Sequence, residues 1–328
     1  MSAAPLILVR SSINIDDIYA VPHIVRPGET LASLSLTSLA GGKGLNVSAA
    51  TALAAGESGR VFLAANVGDV TWPVQELEKR GVDCSHVRSV DGATGRAVIQ
   101  RAEDGENSII LLPGVNHAPG ASPDELLAAL PRQPGFLILQ NEIPWDITTA
   151  YASFFGAKGT DVVFNPSPMP SQAQLEAFPW KQLAVLIVNE GEAADLLAAL
   201  SSQKADSSSD AKATLEALVA LPQFSGLKWL VLTLGSQGVI ASVALQGGRQ
   251  VFASPASKPQ AVRDTTGAGD TFAGNLVTRL SEVEGELQAK QVEEALRWAG
   301  QAAAMAVEKE GALESIPKRQ DVQQRLQG

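Results

Sequence analysis

Asp264-Thr265-Thr266-Gly267-Ala268-Gly269-Asp270-Thr271-Phe272-Ala273-Gly274-Asn275 reads as a loop that turns into a helix. Residues 265–269 are all small, and Phe272, Leu276 and Leu280 follow at helical spacing. Gly267 and Gly269 permit backbone angles closed to residues with a Cβ and let another atom approach the main chain. The first N–H groups of such a helix lack partners and carry the positive end of its dipole, so the loop suits an anion such as a phosphate. Asp270 sets a carboxylate into that anion loop. It reads in two ways: as a cap accepting from first-turn N–H groups, or as a base beside a bound phosphate that takes a proton from an attacking hydroxyl.

Working outward, five short apolar runs read as buried strands, each ending in polar residues. Residues 6–9 lead into Ser11-Ser12-Ile13-Asn14-Ile15-Asp16-Asp17, and 136–139 into Gln140-Asn141-Glu142. Residues 162–164 lead into Asn165-Pro166-Ser167-Pro168, and 184–188 into Asn189-Glu190-Gly191-Glu192. Residues 229–232 lead into Thr233-Leu234-Gly235-Ser236-Gln237-Gly238. Strands of this kind alternating with helical segments predict an α/β fold, a mainly parallel sheet flanked by helices on both faces. Polar residues after each strand fall where such folds keep their ligand crevice.

Other segments complete the plan. Residues 60–69 read as a strand and turn, and 74–80 as a helix ended by Gly81. Gly41-Gly42-Lys43-Gly44 precedes an alanine-rich helical stretch, 45–55, and lacks the spacing of a Walker loop. Residues 18–39, interrupted by Pro22, Pro27 and Gly28, read as short antiparallel strands, and 94–112 as a hairpin around Glu103-Asp104-Gly105-Glu106-Asn107. Residues 292–308 form a helix with Trp298, Ala302 and Met305 on one face, and 201–213 a polar surface loop. That loop lies within the unit and no repeat is present, so 1–328 reads as a single domain.

Composition narrows the function. With 328 residues and 45% hydrophobic content, the chain has a substantial core. A net charge of -10 and a pI near 4.9 argue against nucleic acid or a membrane surface as partner. A lone cysteine, Cys84, excludes an intramolecular disulfide and suits a reducing cytoplasm. The apolar run at the N-terminus is too short for a secretion signal, and none approaches the roughly 20 residues of a membrane span.

Asp-Thr-Thr-Gly-Ala-Gly-Asp-Thr-Phe at 264–272 is similar to the C-terminal signature of the ribokinase/fructokinase (carbohydrate kinase) family, and Gly41-Gly42-Lys43-Gly44-Leu45-Asn46 resembles its N-terminal one. The resemblance implies a small β-sheet lid from about 14–40 and 94–112, with Pro27-Gly28-Glu29-Thr30 as a lid turn. It implies sugar contacts at Asn14, Asp16, Gly42, Lys43, Asn46 and Glu142. It implies ATP contacts at Asn189, Thr233, Gly235, Ser236, Gly238 and Gly269, with Asn189 and Glu192 supporting Mg²⁺ through water. It also implies a monovalent cation site, usually K⁺, from Asp264, Thr266, Ala306, Lys309, Gly311 and Ser315. The family glycine ahead of Asn14 is replaced here by Arg10 or Ser11, and Val70-Thr71-Trp72-Pro73 departs from the turn usual after Gly68-Asp69.

The activity so implied is ATP-dependent phosphorylation of D-ribose at its primary 5-hydroxyl. Asp270 is then the base, held ionised by the helix dipole, and the N–H groups of the Gly267-Ala268-Gly269-Asp270 loop form the anion hole. Asn-Pro-Ser-Pro at 165–168 and the tail Gly311 to Pro317 favour the ribose-phosphorylating branch over fructokinase or adenosine kinase. The alternatives are another sugar or nucleoside kinase of the family and a non-catalytic sugar-binding sensor. Lid strands left alone would expose an apolar face, so a homodimer paired through the lid is expected, as is a cytoplasmic protein, nuclear as well in a eukaryote.

Overall fold

The computed structural model describes residues 5–56, 60–201 and 210–327. Most of the polar loop expected at 201–213 therefore lies outside the described residues. Nine strands form one sheet: β1 (Ile7–Arg10), β4 (Val61–Val67), β5 (Asp83–Ser89), β8 (Phe136–Leu139), β9 (Asp161–Phe164), β10 (Leu183–Asn189), β11 (Trp229–Thr233), β12 (Val239–Leu245) and β13 (Gly248–Ser254). Its order is β13-β12-β11-β10-β9-β8-β1-β4-β5. Pairing is parallel from β5 to β11, and a hairpin of β12 and β13 adds two antiparallel strands at one edge.

Alternate strand residues fall on opposite faces, and both faces are apolar. Ile7, Val9, Leu63, Ile138, Val163, Ile187 and Val231 pack into one core. Leu8, Phe62, Leu137, Leu139, Phe164, Leu186 and Leu230 pack into a second core on the other side. The helices are α1 (Lys43–Ala55), α2 (Trp72–Glu78), α3 (Pro123–Ala129), α4 (Trp145–Ala157), α5 (Gln172–Ala177), α6 (Glu190–Leu200), α7 (Ala211–Val219), α8 (Ala268–Ser281), α9 (Ala289–Ala306), α10 (Ala312–Ser315) and α11 (Arg319–Gln327). Side chains of α1, α8 and α9 fill the first core, and those of α3 to α7 the second. Each large aliphatic side chain so buried contributes about 1.5–3 kcal/mol. Trp298 and Ala302 of α9 pack against Val322 of α11, the apolar stripe expected there.

Two packing features place the site. A Cβ on Gly274 would stand 2.7 Å from the Thr51 nitrogen, so this glycine lets α8 lie directly against α1. Sheet order reverses at β1, where the chain runs out to β4 and β5 and later returns to β8 on the other side. Such a switch point opens a crevice at the carboxyl ends of the strands.

The second sheet is built from β2 (Asn14–Val21), β3 (Ser35–Gly41), β6 (Gly95–Ala102) and β7 (Asn107–Leu112), in the order β3-β2-β6-β7. Its outer pairs are antiparallel, as the sequence predicts for each half. The central pair, β2 with β6, is parallel. Local turn chemistry announces a hairpin, but the joining of two distant hairpins carries no local signal. Strands β5 and β13, at the two edges of the large sheet, carry too many polar residues to show an apolar run and were likewise not anticipated; β12, apolar and largely buried, was not anticipated either.

Candidate active site

Strand β1 ends at the switch point in Ser11 and Ser12, both fully buried. Ser11 Oγ donates to Gln140 Oε1 (3.2 Å), and Ser12 Oγ to Glu142 Oε2 (2.5 Å), so the ends of β1 and β8 are stitched together. Glu142 Oε2 also accepts from the Lys43 backbone N–H (2.9 Å), which fixes the start of α1. From there α1 directs Asn46 toward α8: its Nδ2 donates to Asp270 Oδ2 (3.0 Å). Gln140 Nε2 donates to Asp270 Oδ1 (2.9 Å).

Asp270 is thus clasped from two sides and only 7% exposed. The N-cap of α8 is Gly267, at φ 77°, and the Asp270 oxygens turn to Asn46 and Gln140. Of the two readings of this carboxylate, the cap is therefore not realised. Burial pushes its pKa up, outweighing the Lys43 charge and the two amide donors. The helix dipole, expected to hold Asp270 ionised, acts against this removal from water. Lys43 is the counter-charge. Burial works against its protonation, yet Asp270, Glu142 and Glu192 together hold its pKa above the ordinary lysine value.

The loop before Asp270 keeps its expected form with one change. Ala268 N–H donates to the Thr265 carbonyl (3.3 Å) and Thr271 N–H to the Gly267 carbonyl (2.8 Å). The N–H groups of Gly269 and Asp270 therefore remain for an anion more fully than that of Ala268. A Cβ on Gly269 would meet nothing within 4 Å, so the space beside it is open.

The small sheet brings Asn14 and Asp16 to the same place. A Cβ on Gly41 would strike the Asp16 carboxylate, and one on Gly42 (φ 90°) would stand 2.8 Å from the Asn14 nitrogen. Burial, with Glu142, Asp17, Glu314 and Asp270 around it, raises Asp16 to about 7. Asn116 was missed in the sequence. It is 2% exposed, accepts from Ile13 N–H (3.0 Å) and donates to Asn14 Oδ1 (2.7 Å), bracing the start of β2. Gln140, Ser11 and Ser12 were missed as site residues too. A polar residue after a strand is ordinarily a turn residue, and no local pattern separates these from Asn141.

Further along the crevice, Asn189 ends β10 beside Thr233 at the end of β11, in register. Asn189 and Glu192 form a reciprocal capping box: Asn189 Oδ1 accepts from Glu192 N–H (2.8 Å), and Glu192 Oε2 from Asn189 N–H (3.0 Å). Asn165 Nδ2 also donates to Glu192 Oε2 (3.3 Å). Both residues thus have a helix-starting role, and Glu192 Oε1 has no partner among the described residues. Gly235 and Ser236 form an exposed turn after β11, closed by Gly238 at φ 105°. A Cβ on Gly238 would stand 2.6 Å from the Ala256 nitrogen.

Of the expected cation-site residues, three are joined through one carboxylate. Asp264 accepts from Thr266 N–H (2.9 Å) and Gly311 N–H (3.0 Å). Burial alone would raise its pKa, but these donors hold it below the ordinary range. The Ala306 carbonyl accepts from Lys309 N–H (3.4 Å), and Ser315 Oγ donates to the Ala312 carbonyl (3.0 Å). Among the described residues no three His, Cys, Asp or Glu side chains converge on one point, and no helix is long and apolar enough to cross a membrane.

The model of the pfkB family carbohydrate kinases matches residues 4–319. Ribokinase of Haemophilus influenzae is 32% identical over 314 residues, covering 95% of each chain. A crystal structure of ribokinase from Cryptococcus neoformans in complex with ADP superposes with a TM-score of 0.85 at 40% identity, covering 98% of this chain and 100% of that one. Arabidopsis thaliana ribokinase complexed with ribose and ATP superposes with a TM-score of 0.80 at 27% identity, with 99% of each chain covered. Both the large sheet flanked by helices and the small separate sheet are those of the ribokinase-like fold. With a match that spans almost its whole length, the chain belongs to the pfkB family of carbohydrate kinases.

Proposed function

We propose that this chain transfers the terminal phosphoryl group of ATP to the primary 5-hydroxyl of D-ribose, giving ribose 5-phosphate and ADP. One observation carries the reading: a buried carboxylate, Asp270, stands at the positive end of α8 beside the open flank of Gly269. A hydroxyl delivered there meets a proton acceptor and an anion loop side by side. The relatives named with ribose, ATP and ADP supply the substrates.

Asp270 accepts the hydroxyl proton as the sugar oxygen bonds to phosphorus and the bond to the ADP oxygen breaks. Its raised pKa improves it as an acceptor over an ordinary aspartate. The N–H groups of Gly269 and Asp270, with a lesser share from Gly267 and Ala268, take the charge developing on the transferred group. Asn14, Asp16, Gly42, Lys43, Asn46 and Glu142 hold the sugar. Asn46 supplies its unpartnered buried Oδ1 as acceptor, because its Nδ2 is engaged with Asp270. Asn189, Thr233, Gly235, Ser236, Gly238 and Gly269 line the path for ATP along the ends of β10 and β11.

Mg²⁺, when bound, neutralises the donor phosphates. A single carboxylate oxygen, Glu192 Oε1, with Asn189 nearby, fits an ion that keeps most of its water. K⁺ would be held beside Asp264 and would help to order the anion loop. Asp264 fits it as an ionised oxygen donor tying that loop to Gly311, with Thr266, Ala306, Lys309 and Ser315 as neighbouring donors. The lid pairs with that of a second copy. Ile109, Ile110, Leu111 and Leu112 on its edge strand are about half exposed, an edge that a partner covers. A kinase that consumes ATP and carries one buried thiol belongs in the reducing cytoplasm.

The test is ADP release with Mg²⁺-ATP and K⁺, comparing D-ribose, 2-deoxyribose, fructose, adenosine and no acceptor. Ribose is expected to exceed every other acceptor. A faster rate with another acceptor replaces ribose but keeps the chemistry. Sugar binding without any turnover would make the chain a sensor and overturn the reading.

A further inference from the structure

A cavity of about 120 Å³ lies under the carboxyl ends of β1, β4 and β5, on the sheet face covered by α3 and α4. One water needs about 10–15 Å³, so the cavity has room for an ion and solvent. Register explains its lining. Arg10 stands opposite Ala64 and Ala64 opposite His86, while Asn66 stands opposite Arg88 two residues on. The two-residue period of the strands therefore turns Arg10, His86 and Arg88 to one face. No carboxylate is among the described residues that line this space. Glu125, within electrostatic reach of Tyr151 and Arg88, is exposed and turned to Ser122 in a capping box.

Arg10 is 2% exposed, and its charge lacks a partner of opposite sign among the described residues. Nη1 donates to the Ala64 carbonyl (3.2 Å). The guanidinium lies 5.6 Å from the centre of the Tyr151 ring and interacts with its hydroxyl, which donates to the Ala121 carbonyl (2.8 Å) and, being neutral, brings no counter-charge. Nη2 is buried with no hydrogen-bond partner among the described residues. A Cβ on Gly120 would stand 2.6 Å from it, so a glycine keeps the space before Nη2 open. An unpaired buried cation is costly unless something supplies its counter-charge. Asn66 presents the complementary deficit. Its Nδ2 donates to the Val115 and Ala118 carbonyls (3.0 and 2.9 Å), and its buried Oδ1 has no partner.

We propose that this cavity binds a small oxyanion of the phosphate class, at a site separate from the phosphoryl-transfer crevice. Arg10 Nη2 is the buried donor and Arg88 the charge at the mouth. A phosphate still carrying one proton satisfies both orphaned groups, accepting from Arg10 and donating to Asn66 Oδ1. Sulfate has no proton to donate at neutral pH and satisfies Arg10 alone. Because Arg10 directly precedes Ser11, an ion here braces the strand end that positions Ser11 and Ser12.

Two measurements test the site. Crystals soaked in arsenate, an isostere of phosphate with a usable anomalous signal, should show an arsenic peak within hydrogen-bond reach of Arg10 Nη2. Titration calorimetry of the whole chain with inorganic phosphate should show Arg88→Gln and Gly120→Ala each weakening this binding about tenfold or more. Arg88 is exposed, so its replacement leaves folding intact. Sulfate at matched ionic strength should bind more weakly than phosphate. Arsenic found only at the start of α8, phosphate affinity unchanged in both variants, or sulfate bound as tightly as phosphate would overturn the proposal.

Discussion

Asn46 and Asp270 stand 224 residues apart in the chain and 3.0 Å apart in space, joined by Nδ2 and Oδ2. The bond crosses from α1 to α8, whose close approach depends on Gly274. It makes each of the two glycine-rich segments incomplete without the other.

Replacing the proton acceptor should remove turnover and spare the fold. Asp270→Asn keeps the shape and an amide oxygen for Asn46. We expect kcat to fall about 10²–10⁴-fold, the usual span for general base catalysis. Thermal melting should match the parent chain within about 2 °C, since a buried charge is lost along with a hydrogen-bond acceptor. ADP release beside a circular-dichroism melt checks both; a near-native rate would remove Asp270 from the base role.

The amides around Asp270 set where it titrates. Asn46 and Gln140 both donate to the ionised form and so lower its pKa against the larger effect of burial. Asn46→Ala or Gln140→Leu removes one donor, and the acidic limb of the kcat/KM profile should move to higher pH in each. The parent limb itself should lie above the ~3.9 of an unperturbed aspartate. A limb that stays in place in both variants would show that another group governs it.

Asp16 couples stability to pH. Its folded pKa is raised to about 7 from the ordinary 3.8, so the folded chain holds a proton that the unfolded chain releases. Its contribution to stability is complete below pH 4 and is lost as pH rises through 7. Asp16→Asn should therefore be more heat-stable than the parent above pH 8, by about 1–3 kcal/mol given its partial exposure to water. The advantage should shrink toward pH 4. Denaturant titrations at pH 4, 6 and 8 measure it, and a pH-independent difference would contradict the shift.

Loosening the tie beneath the anion loop should cost rate and cation response together. Asp264→Ala leaves the N–H groups of Thr266 and Gly311 without their carboxylate. We expect kcat in K⁺ to fall about tenfold, the scale of losing hydrogen bonds to a charged group. The parent should run faster in K⁺ than in a large organic cation, and the variant equally in both. Equal parent rates in the two cations would rule out the site.

The amino-acid sequence determined a great deal by local means. Apolar runs followed by polar residues marked five parallel strands, and small residues at 265–269 marked a helix start open to anions. Glycine positions were legible because a positive φ or a close approach excludes a Cβ, as at Gly42 and Gly267. What distance decided was not legible. Whether Asp270 caps α8 or faces the crevice depends on Asn46 and Gln140, which only the packing of α1 and β8 brings to it. Its pKa depends on burial, a property of the whole fold. The parallel joining of β2 to β6, and the register that turns Arg10 and Arg88 to one face, are likewise set between segments far apart in sequence. Hydrogen-bond partners and desolvation belong to pairs and surroundings, so they exist only once the chain has folded.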